Sequence, residues 1–152
     1  MVERFERFSF ALTEISRYWH KLANDEMEKL GLKGTHSVYL TSLHRFPEGL
    51  TAPRLCELFG KDKSDVSRMM AIMEKQGLVV KEGIHQNRYR GVFKLTDDGI
   101  KAAERLIERI ALAVELAGRD LTDEKRAIFY ESLESITDNL RVLSRDGLPE
   151  NK

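Results

Sequence analysis

Along the first part of the chain, Phe5, Phe8, Leu12, Ile15, Trp19 and Leu22 alternate steps of three and four, the spacing of an apolar seam on one long helix. That seam predicts a helix from about Glu3 to Leu30, stopped at Gly31 and followed by the connection "GLKG". Thr35 is positioned to cap a second helix whose apolar residues are Val38, Tyr39, Leu43 and Phe46, ending at "PEG". Leu50 reads as a short extended entry to a third helix. Thr51 caps this helix, Pro53 is tolerated in its first turn, and Leu55, Leu58 and Phe59 are expected inside.

Gly60 ends that helix and Asp62 caps the next, with Asp65 near its positive end. Two short helices joined by a tight glycine turn predict a helix-turn-helix. In the fourth helix Val66, Met69, Met70 and Met73 fall at i, i+3, i+4 and i+7, one buried stripe of core filler. Ser64, Ser67, Arg68, Ala71 and Lys75 take the other side. After Gly77, "LVVKEG" and "GVFKLT" read as strands around the polar loop "IHQNRYR". Thr96 caps a fifth helix with Ile100, Ala103, Ile107, Ile110, Val114 and Ala117 along one side. Thr122 caps a sixth carrying Phe129, Leu133, Ile136, Leu140 and Leu143. The expected fold is mainly α with a small β-hairpin wing.

Composition narrows the class. A chain of 152 residues with 41% hydrophobic and 33% charged residues suits one folded domain, with only the tail after Gly147 loose. No apolar run is long enough to span a bilayer, and "MVERFERFSF" lacks the apolar centre of a signal peptide, so a cytoplasmic location is expected. The lone Cys56 cannot form an internal disulfide, which fits a reducing compartment.

The charges balance at 25 bases and 25 acids, but they are not evenly spread. Between Lys61 and Lys94 eight bases face four acids, a local +4 that the remaining residues offset with −4. Either this marks an electrostatic footprint on one face or it is chance clustering on a solvated surface.

A helix-turn-helix inserts the start of its second helix into the DNA major groove, where hydroxyls and arginine reach phosphates and base edges. Ser64, Ser67 and Arg68 occupy that start. Arg68 has the fork that pairs with guanine O6 and N7; Ser64, Ser67, Lys63 and Lys75 suit phosphates. The competing use of Arg68 is a surface ion pair with Asp65 or Glu74. The hairpin favours DNA, because Arg88 and Arg90 beside His85, Gln86 and Asn87 make a loop able to grip a neighbouring minor groove or its backbone.

These residues resemble the MarR family of winged-helix transcription regulators. The resemblance is carried by "LTAPRLCELFGKDKSDVSRMMAIMEKQGLVVKEG" and "FKLTDDGIKAAERL", and element order extends it over nearly the whole chain. It implies one domain with a winged lobe at residues 35–99, dimerisation helices at 1–30 and 100–146, and a tail at 147–152. It further implies a homodimer closed by Phe5, Phe8 and Leu12 with Ile136, Leu140 and Leu143, reading a pseudo-palindromic site on double-stranded DNA as a repressor. The family's contacts carry over to Ser64, Ser67 and Arg68 and its wing arginine to Arg88. The family's wing usually reads Asp-x-Arg; here Asn87-Arg88-Tyr89 stands in its place, with Arg90 next and the bracing acid absent.

Family members commonly bind small aromatic or anionic effectors where the dimerisation helices meet the lobe, which places Trp19, His20, His36, Tyr39 and His44 as lining residues. Against this, Trp19 belongs to the apolar seam and Tyr39 suits the core. His36 and His44 are too far apart in sequence for ligation from adjacent turns, and no Cys/His/Glu cluster has structural zinc spacing, so no metal or other cofactor is expected. Cys56, between Leu55 and Leu58, reads as a quiet side chain rather than a redox switch. No nucleophile triad, phosphate-cradling loop or catalytic carboxylate pair is present, so an enzyme is not expected. The rival reading is a winged-helix module that docks an acidic protein.

Overall fold

The computed structural model describes residues 2–83 and 91–149. The elements are α1 (Val2–Glu28), a 3₁₀ turn (Gly34–His36), α2 (Ser37–Arg45), β1 (Leu50–Thr51), α3 (Ala52–Phe59), α4 (Lys63–Lys75), β2 (Val79–Glu82), β3 (Val92–Leu95), α5 (Asp97–Ala117) and α6 (Asp123–Asp146). The fold is mainly α with a three-stranded antiparallel sheet of order β1-β3-β2. Leu50 pairs with Phe93 on one side of β3, and Lys81 pairs with Phe93 on the other.

The chain forms two compact units, Met1–Ala111 and Leu112–Lys152. The core of the first unit joins Met27, Tyr39, Leu40, Leu43, Leu55, Val66, Met70, Met73, Val79, Phe93 and Leu106. In the second, Thr122 caps α6 by accepting a hydrogen bond from the Lys125 amide at 3.3 Å. Arg126 donates to the Gly118 carbonyl at 3.0 Å, tying the start of α6 to the turn before it. No residue of α6 is buried.

The caps expected at Thr51, Asp62 and Thr122 are in place. Thr35 is not a cap. The 3₁₀ turn precedes α2, and the Ser37 hydroxyl donates to the Gly34 carbonyl at 2.6 Å instead. Leu58 is exposed, while Met69 only leans on the core beside fully buried Val66, Met70 and Met73. On α5 the buried residues are Gly99, Ala102, Ala103 and Leu106, whereas Ile100 and Ile107 face outward.

The reason lies at the start of α5. Thr96 donates its hydroxyl to the Gly77 carbonyl at 2.6 Å, gives its amide to Leu78 at 3.0 Å, and accepts from the Gly99 amide at 3.0 Å. This brings the helix so close that a Cβ on Gly99 would lie 2.0 Å from the Leu78 carbonyl oxygen. Small residues therefore face the lobe, and the larger isoleucines one position further round are turned out.

Candidate nucleic-acid interface

Helix α3 ends on Gly60 at φ +58°, a left-handed conformation that glycine adopts without a Cβ penalty. The chain can then restart after two residues, with the Asp62 carboxylate accepting the Asp65 amide at 2.8 Å. Burial of Val66, Met70 and Met73 fixes the rotation of α4 about its axis. Ser64, Ser67, Arg68 and Lys75 are left exposed, together with Lys63 at the first turn. The face read from sequence as the contact surface is thus the face the lobe leaves open.

Arg68 donates to the Asp65 carboxylate one turn back, with its side chain 66% exposed. An ion pair in that setting contributes about 0–1 kcal/mol. A guanidinium seated on guanine discriminates by about 1–3 kcal/mol. The pair therefore costs little to open.

In the wing, Lys81 lies 5.1 Å from the centre of the Phe93 ring, and Lys94 pairs with Glu82 at 2.7 Å. Asn87, Arg88 and Arg90 lie outside the described residues, as do His85 and Gln86. A cavity of about 470 Å³ lies where α3, α4 and the sheet meet, lined by Cys56, Lys63, Ser67, Lys81 and Phe93. Cys56 is a free, half-buried thiol packed against the core.

The five residues expected around an effector do not stay together. Trp19, His20 and Tyr39 line one cavity of about 530 Å³ between α1, α2 and α4. His36 is instead sealed into the fold: its Nδ1 accepts the Lys33 amide at 3.1 Å, and its buried Nε2 has no hydrogen-bond partner among the described residues. Burial lowers its pKa from the ordinary histidine value. His44 lies elsewhere, 3.9 Å from Glu104 on α5. The sequence reading missed Phe59, Lys61, Asp65 and Met69, which complete the cavity from a third and a fourth helix and the turn between them. Tyr39 and Phe59 rings meet at 4.6 Å, and burial, then the Asp65 carboxylate, raise the Tyr39 phenol above its usual pKa.

The apolar seams on the long helices are open. Phe5, Phe8 and Leu12 on α1 are 68%, 44% and 53% exposed, and Ile136, Leu140 and Leu143 on α6 are exposed as well. Among the described residues no helix is long and apolar enough to cross a membrane, and no group of three His, Cys, Asp or Glu is placed to hold a metal ion.

Residues 30–86, which hold both helices of the helix-turn-helix and the first wing strand, match the model of the MarR family. Solved structures share the fold over most of the chain. A MarR regulator from Methanosarcina mazei Go1 is 21% identical, with TM-score 0.78, over 90% of this chain and 99% of its own. A protein from Listeria monocytogenes, described as a MarR family transcriptional regulator and complexed with 26mer DNA, is 19% identical, with TM-score 0.74, over 93% and 96%. MepR, a transcription regulator of the Staphylococcus aureus multidrug efflux pump MepA, is 19% identical, with TM-score 0.71, over 88% and 98%. With the capped, outward-facing α4, the wing strands and the Thr96 to Gly99 entry to α5 all in place, this chain has the winged-helix fold of these regulators, and its residues 30–86 match the MarR family model.

Proposed function

We infer that the chain is a cytoplasmic, homodimeric transcriptional regulator that reads double-stranded DNA with α4 and grips it with the wing. The carrying observation is the division of α4 into a fully buried side, Val66, Met70 and Met73, and an open side bearing Ser64, Ser67 and Arg68. The Listeria relative complexed with DNA supports duplex DNA as the partner. In this reading Arg68 leaves Asp65 for a base edge, Ser64 and Ser67 with Lys63 and Lys75 hold phosphates, and Arg88 or Arg90 takes the wing contact.

The open seams support a second copy as the other partner. Phe5, Phe8 and Leu12 on α1 and Ile136, Leu140 and Leu143 on α6 form the dimer contacts, pairing two lobes on half-sites about one helical turn, roughly 34–36 Å, apart. Such a dimer acts as a repressor by occluding a promoter. The cavity that holds Trp19, His20 and Tyr39 is the place where a small molecule relieves or reinforces that block.

The test is a salt titration of binding to the duplex upstream of the protein's own gene, for wild type, Arg68→Ala and Arg88→Ala. Expected is tight binding that weakens steeply with salt. Arg68→Ala should cost about 1–3 kcal/mol of that binding, with helicity and dimer mass unchanged. An intact dimer with no preference over random duplex at any salt overturns binding at that site and favours an acidic protein as the partner.

A further inference from the structure

We propose that Asp65 is a specificity-determining residue of α4. It withholds Arg68 from phosphates and, once Arg68 has moved to guanine, accepts from the N4 amino group of a cytosine one base pair away. This deepens the regulator reading above and rests on it.

Placement is the first observation. Asp65 and Ser67 lie on opposite flanks of the open side of α4: Asp65 lines the cavity with Tyr39 and Phe59, and Ser67 lines the one with Lys81 and Phe93. At about 100° of rotation per residue, Arg68 falls between them. Its Nη2 donates to Asp65 Oδ1 across one turn, which engages one of its five N–H donors. Asp65 has the shorter stem, a side chain only 36% exposed, and a backbone amide held by the Asp62 cap at 2.8 Å. The carboxylate is therefore the fixed member of the pair and the guanidinium the mobile one.

Charge is the second observation. The first turn of a helix ordinarily attracts anions, because its amides point outward unpaired. In α4 that turn carries two carboxylates, Asp62 at the cap and Asp65 three residues on. The end of the helix best suited to a phosphate is thus already occupied by negative charge. An acid in this position weakens the hold on every sequence alike, since every duplex carries the same phosphates.

Only a base-specific contact compensates for that loss, and in the major groove a carboxylate has one, the N4 amino group of cytosine. Guanine and thymine present acceptors there, and the amino group of adenine sits beside the N7 acceptor. Three residues of helix rise about 4.5 Å against about 3.4 Å per base pair, so Arg68 and Asp65 reach neighbouring pairs. Arg68 takes guanine O6 and N7, and the Asp65 oxygen it leaves takes a proton donor from the next pair.

The test is enrichment from a randomised duplex library, with affinity for unselected duplex measured across salt concentrations. It compares wild type, Arg68→Ala, Asp65→Asn and the charge-retaining Asp65→Glu, with circular dichroism to show that each is folded. Wild type should enrich a guanine and, one base pair away, a cytosine on a fixed strand; Arg68→Ala should lose the guanine. Asp65→Asn should keep the guanine and lower the cytosine preference at least about fivefold. It should also bind unselected duplex more tightly, with a salt slope steeper by about one as Arg68 adopts a phosphate, whereas Asp65→Glu should not. Asp65→Ser carries the same comparison if Asp65→Asn loses helicity.

A motif and an unselected-duplex affinity unchanged in Asp65→Asn overturn the role of Asp65 and leave the regulator reading standing. Tighter unselected binding with the cytosine preference intact overturns the cytosine contact. A folded wild type that enriches no motif and binds no duplex overturns both readings.

Discussion

Helix α4 buries Val66, Met70 and Met73 almost completely, whereas α6, nearly twice as long and with an equally regular apolar spacing, buries nothing. Both helices follow the same amphipathic pattern. They differ in what meets the pattern: α4 has α3, the sheet and the rest of a core on its apolar side, and α6 leaves Phe129, Leu133, Ile136, Leu140 and Leu143 exposed. The N-terminal two-thirds of α1 behaves like α6, with Ala23 and Met27 near its end the only residues buried. Periodicity therefore reports that a helix has an apolar side; whether that side is covered by the same chain is a separate property. The contrast separates a lobe that is stable through its own core from helices whose apolar stripes need another surface.

The largest effect should come from breaking the lobe. Leu40→Ala removes a side chain with no exposed surface, and a loss of about 2–5 kcal/mol in urea unfolding is expected, independent of protein concentration. Next is the double change Leu140→Glu with Leu143→Glu. Each apolar side chain contributes about 1.5–3 kcal/mol when fully buried, so sedimentation should show dissociation to a monomer. The lobe itself should keep its unfolding midpoint, and wild type but not the variant should melt at a temperature that rises with concentration. Unchanged mass in the variant would place these residues outside the dimer contact.

Gly99→Ala sharpens the comparison from the side of α5. The added methyl meets the Leu78 carbonyl, and overpacking of about 1–3 kcal/mol is expected in thermal unfolding, with Ala102→Gly as a control that creates no clash. The smallest effect concerns His36. Burial holds its imidazole below the ordinary value of 6.5, so the unfolded chain takes up a proton that the folded chain refuses. The stability from this residue is complete above about pH 6.5 and declines as pH falls through that value, levelling off only below the folded pKa. His36→Asn keeps an acceptor for the Lys33 amide and removes the titration. Its urea midpoint should therefore fall less than that of wild type between about pH 7 and pH 5.5.

Much of the lobe was legible from local signals. Asp62, Thr51 and Thr122 cap where their spacing puts them, and Gly60 and Gly77 stop the helices that precede them. These features depend on a few adjacent residues, so the sequence displays them. The misreadings depend on approach between distant segments. The stripe read on α5 includes Ala103, which is buried, and Ile110, which packs on the core, but also Ile100 and Ile107, which are exposed; the close contact at Leu78 turns Gly99, Ala102 and Leu106 inward instead. Of the candidate effector residues, Trp19, His20 and Tyr39 converge, but His36 closes into the fold and His44 faces α5. Asp65 reads in sequence as a helix-start acid and as a candidate ion partner of Arg68, which it is; its place on the cavity lining with Tyr39 depends on segments distant in sequence.

The Thr96 bonds to Gly77 and Leu78 have a mechanical meaning. Gly77 is two residues beyond the last residue of α4, and the hydroxyl that grips its carbonyl at 2.6 Å belongs to Thr96, the residue just before α5. With Gly99 pressed against Leu78, there is no slack in this joint and no side chain to act as a cushion. The end of α4 and the start of α5 thus share one joint, built from two Thr96 hydrogen bonds and the Gly99–Leu78 contact.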